Sequence, residues 1–197
     1  MTLPLTAGLR PLPRTIPPYR NEVLSSYLCR LALANRLDPD ALRVHLTGQT
    51  RKTAAVPAER LAVLCGRPAA ALRHAIPELT TPGDSANPGG SPPGRTLGLA
   101  CQLCAVARTA HDQVWCWRGD EEVVCHRHRR WTGGPGGRAF RQPDLSTQPD
   151  IVRAHTRHRR LVRRHGRQAA ADAFTAAAAI CRTWHRSKSM TTTITGS

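Results

Sequence analysis

Hydrophobic positions recur at helical spacing almost from the start of the chain. Val23, Leu24, Tyr27, Leu28, Leu31 and Ala32 share one face of a helix predicted to begin near Arg20, with Asn21 in the N-cap position. Asp38-Pro39 has the form of a cap followed by a first-turn proline, opening a short helix that runs to Leu46 and ends near Gly48. Pro57 opens a third helix, in which Leu61, Leu64 and Cys65 face inward and Gly66 stands where a C-cap is expected. The stretch RPAAALRHAIPEL restarts a helix that stops before Pro77. Helix, glycine turn, helix is the outline of a helix-turn-helix, and equally of an ordinary helical hairpin in a small bundle.

The helical period then breaks. TPGDSANPGGSPPGR holds eight Pro or Gly in fifteen residues and reads as a flexible linker. Beyond it, QVWCWR and EVVC are β-prone and flank GDE, which predicts a hairpin. Trp115 and Trp117 would share one strand face and cover whatever site lies there, with Cys116 on the opposite face. TGGPGGR is a second, shorter break. From Gln148 the helical period returns, with Ile151, His155, His158, Val162 and His165 on one face. Arg153, Arg157, Arg160 and Arg164 form a stripe beside it, and Arg159, Arg163 and Arg167 another. Gly166 should end or kink this helix. An Ala-rich helix follows, with Phe174, Ala177, Cys181 and Trp184 as its apolar stripe.

The expected fold is mainly α. A Pro-rich lead-in and helical domain span 1–80, the linker 81–95, a small zinc-ribbon β-hairpin module 96–138, Arg-rich and Ala-rich helices 139–188, and a disordered tail 189–197. Composition agrees: aromatics make up only 4%, with Gly 15 and Pro 16, which argues against one large core and for small units around a local staple.

Charge adds a direction. The net charge is +16 and the sequence pI about 11.3. Lysine occurs only at Lys52 and Lys188, an Arg bias that genomic GC content alone can produce. The positive excess itself points to a polyanionic partner, nucleic acid first. Arg153, Arg157, Arg159, Arg160, Arg163, Arg164 and Arg167 are the candidate contacts, because their density on one helix is self-repulsive unless an anion offsets it. No apolar run approaches a membrane span and the first residues lack a leader's apolar segment, so a cytoplasmic, nucleoid-associated protein is expected.

The seven cysteines supply the sharpest motif. Cys101-x2-Cys104, twenty residues, then Cys125-x2-His128 is the spacing of two knuckles closing on one structural zinc. His126 could replace His128, and His111 or Cys116 could compete. Four protein ligands leave no open position for catalysis. A redox role for Cys101 and Cys104 lacks a surrounding βαβ pattern and leaves the second pair unexplained. A metal-dependent nuclease built on CHRHRRW would need a suitably spaced carboxylate, which Asp112, Asp120, Glu121 and Glu122 do not supply.

Taken in order, these parts resemble the TniQ family of transposition target-selection proteins. In PLPRTIPPYRNEVLSSYLCRLALAN, residues Glu22, Ser26, Tyr27, Leu28, Arg30, Leu31 and Ala32 match the family's opening pattern. ERLAVLCGRPAAALRHAIPEL is similar to its next segment, and Cys101, Cys104, Trp115, Trp117, Cys125 and His128 to its zinc finger. The tail HRRLVRRHG is similar to short actinobacterial members. The chain departs from the family in having Gln102 and His126 where proline is usual. The resemblance implies a non-enzymatic adaptor that binds DNA or a nucleoprotein complex and recruits the transposon's ATPase and transposase, with a homodimer left open. A zinc-containing helix-turn-helix transcription regulator is the alternative.

Overall fold

The computed structural model describes residues 8–51, 54–79, 92, 94–108, 113–133 and 141–191. They form two compact units, Met1–Thr147 and Gln148–Ser197. The expected linker 81–95 and the break at 132–138 fall mostly outside the described residues, as do His111, Asp112 and the end of the tail.

In the first unit, α1 (Leu24–Ala34), α2 (Pro39–Thr47), α3 (Ala58–Cys65) and α4 (Ala69–Ala75) form two helical hairpins. Local signals set most of their ends. Pro39 occupies the first turn of α2 and the Asp38 carboxylate accepts from the Ala41 amide at 2.8 Å. Gly48 and Gly66 close α2 and α3 at φ of +69° and +60°, a conformation glycine reaches without strain. Tyr27, Leu31, Leu46, Leu61, Leu64, Leu72 and Ile76 are fully buried between the four helices. The Pro-rich lead-in lies against them: Leu12 donates to the Leu64 carbonyl at 2.8 Å, and the Tyr27 hydroxyl to the Ile16 carbonyl at 3.1 Å.

The start of α1 differs from expectation. Asn21 is not its cap; it takes a left-handed φ of +59°, and the helix begins at Leu24 after Val23. The Leu24 amide instead donates to the carboxylate of Glu78, which follows α4 in the chain. Glu78 thus caps a helix 54 residues away, a pairing no local pattern encodes. Just before α1, the carboxylate of fully buried Glu22 accepts from Arg30 Nε at 2.8 Å and Nη2 at 2.7 Å, from the Tyr19 amide at 2.8 Å and from Ser26 Oγ at 3.2 Å.

The strand pairing also differs. β1 (Thr96–Leu99) pairs antiparallel with β2 (Trp115–Arg118), setting Gly98 opposite Cys116. A single 3-10 turn, Asp120–Glu122, follows β2 in place of the expected GDE hairpin. β3 (Val124–Cys125) then pairs with β4 (Arg130–Trp131). The outer edge of β2 is already taken: Val23 donates to the Trp115 carbonyl at 2.9 Å and Trp117 to the Asn21 carbonyl at 2.7 Å. Residues 21–23 therefore serve as a short third strand, and the competition for that edge explains why β2 does not fold back on EVVC. Trp117 reaches the N-terminal helices, where its indole donates to Glu78 at 3.1 Å, rather than covering the Cys/His cluster. Cys116 packs with Tyr19, Ala100, Ala105 and Val114 in a second, small core.

The second unit contains α6 (Pro149–His165) and α7 (Arg167–Thr191), with Gly166 between them at φ of +85°. The expected break at Gly166 is observed.

Replacing Glu22 with Ala would strand the Arg30 guanidinium in the interior, at an expected cost of about 3–5 kcal/mol. Asp150→Ala, which removes an exposed partner of Arg153, should change stability by less than about 1 kcal/mol. Urea unfolding of both variants checks this, and equal costs would show that the buried pair has no special role.

Candidate functional site

Cys101 ends the segment after β1 and stands at the N-cap of α5 (Gln102–Val106), which carries Cys104 in its first turn. Cys125 ends β3, and His128 sits in the turn to β4, which closes through Arg129 at a left-handed φ of +47°. Two tight turns thus supply two ligands each. The donor atoms of Cys101, Cys104, Cys125 and His128 all lie within 4.8 Å of one another.

The individual separations are informative. Cys104 Sγ lies 3.7 Å from Cys125 Sγ. His128 Nδ1 lies 3.5 Å from Cys101 Sγ, 3.3 Å from Cys104 Sγ and 3.7 Å from Cys125 Sγ. A tetrahedron with metal–sulfur bonds of about 2.3 Å and a metal–nitrogen bond of about 2.0 Å has edges of about 3.5–3.8 Å. These four of the six separations are close to the edges of a tetrahedral metal site. No fifth protein group joins them among the described residues. Cys116, an alternative ligand by sequence, belongs to the small core instead.

The chemistry of the donors fits a cation as well. Burial, then the neighbouring Cys125 thiol, pushes the Cys104 thiol up to about 12. Burial likewise raises Cys101, opposed by the backbone amides of Cys104 and Leu103, which favour its thiolate. Two neighbouring thiols of this kind, Cys101 and Cys104, ionise together only with a cation beside them.

The surroundings hold these turns in place. Gln142, which no sequence signal marked, is buried; it accepts from the Gln102 amide at 2.9 Å and donates to the Ala100 carbonyl at 2.8 Å, capping α5. Leu145 donates to the Arg129 carbonyl at 2.7 Å, and Arg130 pairs with Asp144 at 3.4 Å. The segment 142–145 thus belongs to the module's packing. The carboxylate of Glu122, considered above for a nuclease, is occupied by Arg95 at 2.9 Å and the Gly119 amide at 3.1 Å.

The second candidate surface is α6. Arg153, Arg157, Arg160 and Arg164 are all exposed, as is Arg163, whereas Arg159 and Arg167 are half-buried. Among the described residues, Arg153 is the member of the first stripe with a carboxylate partner, Asp150 at 2.7 Å, in an exposed pair. The inward face is rotated from that expected: His155 is buried, and Val152, Thr156, His158 and Val162 are half-buried, while Ile151 and His165 face outward. The apolar stripe of α7 is likewise exposed, with Phe174 at 69% and Trp184 at 66% of full accessibility.

Compared with known families, the chain is matched by the model of the TniQ family over residues 13–131. That segment takes in α1 to α4 and all four residues of the Cys/His cluster and ends before α6. Neither a curated protein nor a solved structure matches it.

Elemental analysis should find one metal ion per chain, lost in Cys125→Ser and His128→Ala but retained in Cys116→Ser. Retention falls with pH, because protons compete for the thiolates as the medium acidifies. Metal content independent of Cys125 and His128 would dissolve the site.

Proposed function

The chain belongs to the TniQ family, and from that premise we propose that it is a zinc-stapled adaptor in DNA transposition that binds DNA or a nucleoprotein complex through α6. Family membership supports a transposition-associated adaptor role in general. The family's members are generally non-catalytic, and no catalytic step is assigned to this chain.

Zinc is the metal that the donor set favours. Three sulfurs and one imidazole in a tetrahedron suit a borderline-soft ion without geometric preferences of its own. With four protein ligands the site is coordinatively closed, so its role is to hold the fold.

The observation that carries the binding reading is the exposed arginine stripe. Arg153, Arg157, Arg160 and Arg164 follow one another at steps of four, three and four residues, so all four guanidinium groups lie along one side of α6. The second unit holds ten of the chain's 29 Lys and Arg but only Asp150 and Asp172 of its 13 acids. Like charges at i,i+4 repel, and phosphate oxygens offset that repulsion with paired, charge-assisted hydrogen bonds. Arg159, Arg163 and Arg167 extend the basic surface around the helix. Recruitment of a transposon ATPase and transposase completes the proposed role, placing the protein at the nucleoid. No helix among the described residues is long and apolar enough to cross a membrane.

Fluorescence anisotropy with a duplex DNA should show affinity falling steeply with salt, each phosphate contact adding about −0.9 to the slope of log K against log salt. In an Arg157→Gln, Arg160→Gln, Arg164→Gln protein the slope should be shallower by about three. An unchanged slope, or binding indifferent to salt, would overturn the reading.

A further inference from the structure

The apolar period of α7 outlasts its packing. Ala170, Phe174, Ala177, Cys181 and Trp184 follow one another at steps of four, three, four and three, the spacing that keeps one seam on one side of a helix. Ala170 is buried, but beyond it no described residue covers the seam. From residue 171 to 184 every residue is exposed except half-buried Ala178. Phe174 stands at 69%, Ile180 at 53% and Trp184 at 66% of full accessibility.

The stretch is amphipathic. At about 100° per residue, Phe174, Ala177, Ile180, Cys181 and Trp184 fall within about 120° of the helix circumference. Its two charged residues, Asp172 and Arg182, stand on the far side and cancel in charge. The positions that border the seam are Ala171, Ala173, Ala178 and Ile180, none of them charged. A helix of about four turns is marginal in water by itself, and its stability comes from what packs on its apolar face.

The charge pattern says what packs there. A partner recognised through charge would meet a charged rim beside the seam, which is how paired helices select unlike partners. Here the rim is neutral. A second copy of α7 presents the matching surface: apolar along the seam, neutral at its borders, with no like charges to bring together. We propose that residues 170–184 form an antiparallel pair with the same residues of a second chain. The direction follows from charge. α6 holds six arginines and joins the start of α7 through Gly166. Parallel pairing would set two such helices at one end. Antiparallel pairing about residue 179 puts the starts of the two α7 helices about 36 Å apart along the axis, several times the Debye length at physiological salt. In that alignment Phe174 lies opposite Trp184 of the second chain and Ala177 opposite its Cys181. Aromatic rings then meet at both ends of the seam, and small residues let the backbones approach at its centre. The seam lies beyond residue 131, outside the segment that the family pattern covers, and the pairing requires neither metal nor nucleic acid.

Sedimentation equilibrium of the full chain, freed of nucleic acid and held in high salt to screen its net charge of +16, tests the pairing. Wild type should dimerise in the micromolar range, as a seam of this small size predicts. Phe174→Gln with Trp184→Gln keeps helix-forming residues and should weaken the dimer about a hundredfold or more. A wild-type chain that stays monomeric overturns the proposal, including the case in which another segment or a different protein covers the seam. A dimer indifferent to the double substitution overturns it as well. Direction is read after Cys29→Ser, which removes the other cysteine found exposed. Adding Ala177→Cys should give an intermolecular disulfide on mild oxidation, and Cys181→Ser should abolish it. That disulfide surviving Cys181→Ser, or one forming through Cys181 without Ala177→Cys, would mean parallel pairing and overturn the arrangement, as would the absence of any crosslink. The crosslink also decides the matter if the double glutamine variant loses its helix content by circular dichroism.

Discussion

The first unit depends on one buried ion pair. Glu22 is fully out of solvent, and its two carboxylate oxygens take four donors, two of them from the Arg30 guanidinium. Arg30 in turn lies over the ring of Tyr19 at 4.9 Å and near that of Tyr27 at 5.8 Å. Against an apolar replacement such a pair gains little net stability, because both charges lose their hydration. Its value is in what it specifies. It fixes the chain just ahead of α1 in an extended path, and that path is the edge on which β2 assembles. Ser26, which donates to Glu22, accepts from the Trp115 amide at 3.0 Å. The helices and the Cys/His module are thus joined through a single polar network.

That joint matters because the module's own core is small. Among the described residues it holds Tyr19, Ala100, Ala105, Val114 and Cys116 in one cluster, with Leu99, Val123, Val124 and Leu145 also buried, and Tyr19 comes from the lead-in to the helices. A core of this size buries little surface with which to order the loops around it. Two constraints make up the difference from opposite ends. At one end, residues 21–23 and Glu78 grip β2 by hydrogen bonds to Trp115 and Trp117. At the other, the four Cys/His side chains converge. The resembling-family residues Glu22, Ser26, Arg30 and Glu78 thereby acquire a physical role as the clamp between helices and module.

What the amino-acid sequence revealed, and what it concealed, divides along range. Asp38-Pro39, Gly48 and Gly66 act within one helical turn, and each stands at the helix end it marks. The convergence of Cys101, Cys104, Cys125 and His128 was legible for the same reason: each pair spans four residues, and the turn that joins its members is local. Asn21 misled because N-cap preference is local while its actual conformation follows from pairing with β2. The GDE hairpin misled in the same way, since a turn signal cannot tell which edge of a strand is already taken. Neither Glu78 nor Gln142 carried a local signal of capping; their roles as caps exist only once segments distant in the chain have come together. On α6 the arginine spacing was read correctly, but the inward face was not, because histidine and threonine serve either side of a helix.

The two units invite a division of labour that follows from their chemistry. The matched segment ends at residue 131, so the densest basic surface lies beyond it. On the proposed reading α6 meets phosphate with arginines at helical spacing. Phosphate contacts set position and affinity but carry no base identity. A stripe of guanidinium groups therefore brings the chain to nucleic acid without choosing a sequence. The choice of target then falls to a partner, or to the helices of the first unit, whose geometry the buried ion pair holds constant. An adaptor built in this way separates holding from choosing, and its rigid part is the one that the family pattern covers.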